Sequence, residues 1–137
     1  MTLPDYISRL AVSSVLNQDT RLYGKTFLFD KNPETCWQSD SGASQWILVE
    51  FKEPLKITSV QLQFQGGFAA EEGLLRLWTK ETKDRAISHP FHPSNTSSVQ
   101  SFIFADTNPC TNAAIIFKKA TDLFGRIIVY QLDFSFV

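Results

Sequence analysis

The run ITSVQLQF at residues 57–64 constrains the fold more than any other stretch of the chain. Ile57, Ser59, Gln61 and Gln63 mostly point one way, and Val60, Leu62 and Phe64 the other. Side chains alternate with period two only along a strand. The segment is therefore predicted as a half-buried antiparallel strand, apolar side inward. The same period recurs at residues 7–15, 45–51, 74–79, 99–104, 113–118 and 127–136. In the last of these, Ile128, Tyr130, Leu132, Phe134 and Phe136 fall on one face. Turn chemistry separates the runs at Lys52-Glu53-Pro54, in the glycine-bearing segment 65–73, and around Asn108-Pro109. Residues 25–29 read as a short apolar turn or strand, and 17–24 and 120–125 as loops. Residues 80–98 read as a long polar connection with one short strand near Ile87. About seven to nine short strands without a sustained helical period predict an all-β sandwich or barrel. No repeat, low-complexity tract or linker divides the sequence, so residues 1–137 are read as one domain.

A chain of 137 residues with twelve Phe and three Trp can fill one core. Its formal net charge of −1 removes the electrostatic term on which nucleic-acid binding rests, so neither DNA nor RNA is expected as a partner. No apolar run approaches the length of a membrane span. The opening MTLPDYISRL lacks the basic and apolar regions of a signal peptide. Cys36 and Cys110 are expected as reduced, partly buried thiols, with a bridge between them as the alternative. Asn95-Thr96-Ser97 matches the glycosylation sequon and reads as a chance match in a polar loop.

Catalytic patterns are absent from the sequence. His89 and His92 sit in the proline-bearing connection, in neither a nucleophile nor a zinc pattern. Gly66-Gly67 lacks the Lys-Ser/Thr that follows a phosphate-binding loop. Glu71-Glu72 read as an exposed loop tip. No enzyme is expected.

The stretch 28–51 joins a long polar loop directly to a strand. Loops of that length are functional, disordered or fastened, and Trp37 and Trp46 argue against disorder. A calcium ion takes six to eight oxygens. Asp30, Asn32, Thr35 and nearby carbonyls can supply several, with Gln131 or Asp133 adding one from the last strand. The alternative is that Asp30 and Asn32 close turns through side-chain-to-backbone bonds. Lys31 favours that alternative, because a cation beside a cation site costs affinity. Phe68 in its Gly-Gly-Phe loop, and Leu123-Phe124 before Gly125, are the apolar candidates. Each either anchors a protein partner or tucks over the sandwich end, and for Phe124 the tucked position is favoured.

These residues carry a resemblance. Leu28-Phe29-Asp30-x-Asn32-x-Glu34-Thr35-x-Trp37, followed by Gln45-Trp46-Ile47-x-Val49-x-Phe51, resembles the discoidin domain, also called the coagulation-factor type C or galactose-binding-like domain. Ser13-Ser14-Val15-Leu16-Asn17, Phe64-Gln65-Gly66-Gly67-Phe68 and the run ATDLFGR at 120–126 are similar to a small intracellular branch associated with a nuclear receptor. The resemblance implies an eight-stranded jelly-roll sandwich, a five-stranded sheet facing a three-stranded one. It implies that Trp37 and Trp46 pack the core and that Asp30 and Thr35 close the loop. It further implies a binding module: an adaptor or corepressor, in the nucleus and/or cytoplasm, that binds a nuclear receptor and represses its transcriptional activity. The alternatives are a carbohydrate- or small-ligand-binding jelly roll, and a calcium-stabilised subunit of a larger complex.

Asp30 and Thr35 match metal-binding positions of some relatives, while Lys31 stands where glycine is common there. The final-strand carboxylate of those relatives would fall near Gln131 or Asp133. Extracellular members clamp their termini with a disulfide, and neither terminus here carries a nearby cysteine. Lipid-binding members expose apolar spikes above a basic floor. Glu71 and Glu72 beside Phe68 would repel anionic lipid, so no membrane partner is expected. The expected binding face is the loop end made by residues 17–24, 38–44, 65–73 and 120–126 of a monomer. Its expected partner-contacting residues are Phe68, Gly67, Glu71, Asp40, Arg21, Phe124 and Arg126.

Overall fold

The alternating segments pair into two antiparallel sheets in the computed structural model, which describes residues 3–137. In chain order the strands are β1 Ile7–Val12, β2 Trp37–Gln38, β3 Gln45–Leu55, β4 Ile57–Phe64, β5 Ala70–Trp78, β6 Ile87–Phe91, β7 Val99–Ile103, β8 Cys110–Ala120 and β9 Ile128–Phe136. One sheet has the order β1-β3-β8-β5-β6 and the other β2-β9-β4-β7. The jelly-roll sandwich read from the sequence is the fold that forms. Its second sheet has four strands rather than three, because Trp37 and Gln38 pair with Val129 and Ile128.

The inward side chains of both sheets meet in one core. Ile47, Val49 and Phe51 come from β3, Ala113, Ile115 and Phe117 from β8, and Val60, Leu62, Phe64, Leu132 and Phe134 from β4 and β9. The sheets touch through edge-on aromatic pairs, Phe64–Phe117 at 5.6 Å and Phe51–Phe134 at 6.0 Å between ring centroids. Full burial of each such side chain stabilises the fold by about 1.5–3 kcal/mol.

Where simple alternation fails, the ladder slips by a residue. The β4–β9 register shifts between Ile57 and Ser59 and again between Gln63 and Phe64. A one-residue slip reverses which side chains face inward. Ile57 therefore enters the core instead of siding with Gln61, and Val129 is fully buried while Tyr130 is half-buried. Lys52, Glu53 and Pro54 lie within β3 rather than in a turn, at the register shift between Glu50 and Leu55. Such an irregularity tolerates a residue without an N–H. β1 stops at Val12, short of Val15, and the Ser13 and Ser14 hydroxyls bond Gln45 instead. Residues Lys25–Leu28 form a 3-10 turn that seats Leu28 in the core. β5 begins at Ala70, so Glu71 and Glu72 lie in a strand and not at a loop tip. Pairing with β8 extends the strand back to that point, and Glu72 meets Lys119 at 3.0 Å.

Trp37 is fully buried, as expected, whereas Trp46 is 39% exposed on the outer face of β3. Gln45 and Ile47 take the inward positions, so period-two geometry turns Trp46 out. Cys36 and Cys110 are buried, free thiols. Burial pushes the Cys110 thiol up to about 12.

The registers also collect the connections. Gln45 lies opposite Phe117, Ala70 opposite Ala120, Gln63 opposite Val99, and Phe64 opposite Val129. Segments 39–44, 65–69, 92–98 and 121–127 therefore leave the sandwich at one end.

Candidate functional site

That end is fastened by hydrogen bonds from short side chains. Ser39 is fully buried, and its backbone N–H donates to the Ile127 carbonyl at 2.8 Å. Its hydroxyl accepts from the Ile127 N–H at 2.8 Å and donates to the Asp40 carbonyl at 2.9 Å. Gln45, also buried, links three segments. Its Oε1 accepts from the Ser13 and Ser14 hydroxyls at 2.6 and 2.8 Å, and its Nε2 donates to the Asp40 carbonyl at 2.8 Å. Ser14 accepts the Asp40 N–H at 2.9 Å, and its carbonyl accepts the Trp37 indole N–H at 2.9 Å. Buried polar groups satisfied in this way specify one loop arrangement.

The 121–127 loop is braced against this platform. The Asp122 carboxylate accepts from the Phe124 and Arg126 N–H groups at 3.2 and 3.0 Å. The Gly42 N–H donates to the Phe124 carbonyl at 3.1 Å. Gly125 has φ +83°, and a Cβ built on it would lie 1.9 Å from the Gly42 carbonyl oxygen. Glycine is needed here for both the dihedral and the approach. Loops 39–44 and 121–127 are thus in direct backbone contact, and Phe124 does not tuck over the sandwich end. Leu123 and Phe124 point outward instead, 92% and 70% exposed.

Beside them, residues 65–68 form a tight turn closed by a 2.9 Å bond from the Phe68 N–H to the Gln65 carbonyl. Gly67, at φ +91°, occupies the left-handed position. Its N–H donates to Asn95 Oδ1 and that of Gly66 to the Ser97 hydroxyl, each at 2.8 Å. The sequon asparagine is thus a brace for this turn. The Arg126 guanidinium lies 4.8 Å from the centroid of the Phe68 ring. Stacking of this kind contributes about 0.5–1 kcal/mol at exposed sites and more when desolvated. Arg126 Nε is buried and has no hydrogen-bond partner among the described residues.

The structure places Phe68, Gly67, Asp40, Phe124 and Arg126 at this end. It places Glu71 on β5, exposed beside the Glu72–Lys119 pair. Arg21 is exposed on the short helix α1, Thr20–Tyr23, whose N-terminus Asp19 caps at Leu22 N–H. No hydrogen bond or ion pair joins the Arg21 side chain to the Phe68–Arg126 group.

The calcium candidates are arranged differently. Asp30 Oδ1 accepts from the Asn32 N–H at 3.0 Å, and Oδ2 accepts from the Thr35 hydroxyl at 2.5 Å. Asn32 Oδ1 accepts from the Glu34 N–H at 2.9 Å. Each side chain therefore closes its own turn. Gln131 and Asp133 do reach the neighbourhood, but they line a cavity there together with Lys31. Asp133 is also bonded to the Phe134 N–H at 2.9 Å. No group of three or more His, Cys, Asp or Glu side chains comes together among the described residues. This donor set fits loop closure rather than a divalent cation.

Sequence reasoning missed the Ser39 and Gln45 braces, the Gly42–Gly125 approach and the outward Trp46. The paired glycines offered a signal for the approach. Polar Gln45 at the head of an apolar strand offered one for the brace.

No protein-family model matches the sequence. Among solved structures, the chain is similar to a coagulation-factor 5/8 type C domain from Bacteroides fragilis, with TM-score 0.78 and 12% identity over 92% of this chain and 89% of that one. It is also similar to chitosan-binding module 1 of a Paenibacillus chitosanase/glucanase, with TM-score 0.76 and 12% identity over 93% of each chain. The fold is therefore that of the galactose-binding-like, discoidin-type β-sandwich domains. Among curated proteins, the chain is 48% identical over 122 residues to the Danio rerio nuclear receptor 2C2-associated protein, spanning 89% of this chain and 86% of that protein. It is 39% identical over 132 residues to the Homo sapiens protein of the same name, spanning 96% and 92%. The chain belongs to the nuclear receptor 2C2-associated protein family.

Proposed function

We propose that this domain is a non-catalytic interaction module that binds a nuclear receptor in the nucleus and/or cytoplasm and represses its transcriptional activity, using the loop end as the contact surface. The single observation that carries the choice of surface is the exposure of Leu123 and Phe124 on a braced loop. Two large apolar side chains held out by a fixed backbone lose little entropy on binding, which favours them as anchors. Arg126, half-buried beside them with its guanidinium over the Phe68 ring, adds a cation to the same surface. The name shared by the relatives supports a receptor as the partner.

Carbohydrate binding is the weaker reading of the same end. A sugar stacks on an open aromatic face, and the Phe68 ring already has the Arg126 guanidinium over it.

The test is the affinity of the purified chain for the receptor's ligand-binding and DNA-binding regions, measured by calorimetry. Leu123→Ala with Phe124→Ala is expected to weaken binding at least tenfold, about 1.4 kcal/mol, while the melting midpoint stays in place. Unchanged affinity in the double variant would remove the loop end as the interface.

A further inference from the structure

The outer faces of the two sheets differ across their central strands. Across the four-stranded sheet, Gln63 lies beside Gln131, Gln61 beside Asp133, and Ser59 beside Ser135. Gln61 Nε2 donates to the Ser59 and Ser101 hydroxyls at 2.7 and 3.2 Å. These rows are polar across β4 and β9, and on the edge strand β7 they continue into Val99 beside Gln63 and Ile103 beside Ser59, 54% and 84% exposed. Across the five-stranded sheet, Trp46 lies beside Ile116, Ile116 beside Leu74, and Leu74 beside Pro90. The next row runs Ala11, Leu48, Ala114, Arg76. The third runs Arg9, Glu50, Asn112, Trp78. Trp46 is 39% exposed, and Leu48, Leu74, Trp78 and Ile116 are half-buried. These side chains alternate with the core residues Ile47, Val49, Leu75, Leu77 and Ile115, so they belong to the outside of the sandwich. An apolar band with a tryptophan at either side crosses the central strands of this face, whereas the exposed apolar side chains of the four-stranded sheet, Val99 and Ile103, stand on its edge strand β7.

The charge around the band is one-sided. Two grooves flank Trp78 on this face. Arg9, Glu50, Lys80 and Lys83 line the first, and Arg76 and Lys83 line the second together with Ala114 and Ile116. Four cations face one carboxylate there, and that carboxylate, Glu50, already meets Arg9 at 3.5 Å. The whole chain carries a net charge of −1, so this bias is local. Toward the loop end the face is balanced, with Glu72 opposite Lys118.

We propose that the outer face of the five-stranded sheet is a second docking surface, and that it takes an acidic amphipathic helix of a partner chain. An apolar sheet face is completed by a further layer packed on it. Strands spaced about 4.8 Å apart give the band from Trp46 to Pro90 a length of about 14 Å, the rise of about nine helical residues. Apolar side chains at i, i+3, i+4 and i+7 of such a helix meet Trp46, Ile116 and Leu74. Carboxylates on its flank meet Arg76 and Lys83. The site uses none of the loop-tip residues, so the chain can hold two partners at once. The proposal stands independently of the loop-end reading.

The test uses the full chain against a display library of peptides tiling a proteome. Binding of selected peptides is measured for the wild type, Ile116→Asp, the double variant Arg76→Glu with Lys83→Glu, and Phe124→Ala. Arg76 and Lys83 are exposed, so the double variant carries the test even if Ile116→Asp lowers the melting midpoint. The expected selection is acidic and has the i, i+3, i+4, i+7 apolar pattern. Its members should bind tenfold or more weakly to Ile116→Asp and to the charge-reversed double variant, weaken as salt rises, and bind Phe124→Ala as they bind the wild type. The proposal is overturned by a selection with no enriched peptide, by enriched peptides without negative charge, or by binding that survives both face variants. Wild-type self-association that Ile116→Asp abolishes would overturn it too, by giving the face to a second copy.

Discussion

Gly67 and Gly125 form a matched pair that isolates the contact on which the loop end depends. Both have positive φ, +91° and +83°. An added Cβ at Gly67 meets nothing within 4 Å, while one at Gly125 falls 1.9 Å from the Gly42 carbonyl oxygen. For Gly67→Ala only the dihedral matters. A left-handed L-residue costs about 1–2 kcal/mol, offset in part by the lower entropy of the unfolded chain, for a net loss of about 1 kcal/mol. Gly125→Ala bears the same cost and must also push two backbones apart. The bond from the Gly42 N–H to the Phe124 carbonyl, 3.1 Å long, is then lost, at about 1 kcal/mol, with strain in the Ser39–Ile127 bonds adding a similar amount. The expected loss is about 3 kcal/mol. Urea unfolding of both variants measures the two losses, and for a domain of this size the difference is about 6–10 °C in melting midpoint. Equal losses in the two variants would refute the reasoning, because they would mean that loops 39–44 and 121–127 do not touch.

Three further outcomes follow from the geometry. Gln45→Ala removes hydrogen bonds to Ser13, Ser14 and the Asp40 carbonyl, and is expected to lower unfolding free energy by about 2–3 kcal/mol in denaturant titration. The Cys110 thiol is raised from 9.0 to about 12, so the unfolded chain releases this proton first and stability falls as pH climbs from about 9 towards 12. The stability margin of the wild type over Cys110→Ala should accordingly shrink over that window, and a margin independent of pH would contradict the buried thiol. Calcium added to a chelator-treated sample is expected to leave the melting midpoint unmoved, because both Asp30 oxygens are held within their own loop; a rise would show a bound ion.

Much of the fold was legible because alternation is a local signal. The 99–104, 113–118 and 127–136 runs each became a strand, and Trp37 entered the core. What alternation cannot show is a slip between paired strands. Ile57 turned inward through such a slip, and Pro54 stayed in a strand because of another. Trp46 failed for a different reason. The resemblance placed it in the core, while its position between Gln45 and Ile47 decided its face. At the loop end, the sequence offered Phe68 and Arg126 as candidate partner contacts but did not show them as neighbours of each other. Their 4.8 Å stacking joins turns 58 residues apart in sequence. Phe124 was misplaced because the Gly125 approach to Gly42 is a contact between two loops, and the glycines that permit it do not say which loop each will meet.

The most direct test of the central claim is amide chemical-shift mapping of the labelled chain as an unlabelled receptor fragment is added. The account predicts that the largest changes gather at residues 65–68 and 121–127, with a smaller response at 39–44. Changes confined to residues 52–56 and 104–109 at the opposite end, with residues 121–127 silent, would contradict it.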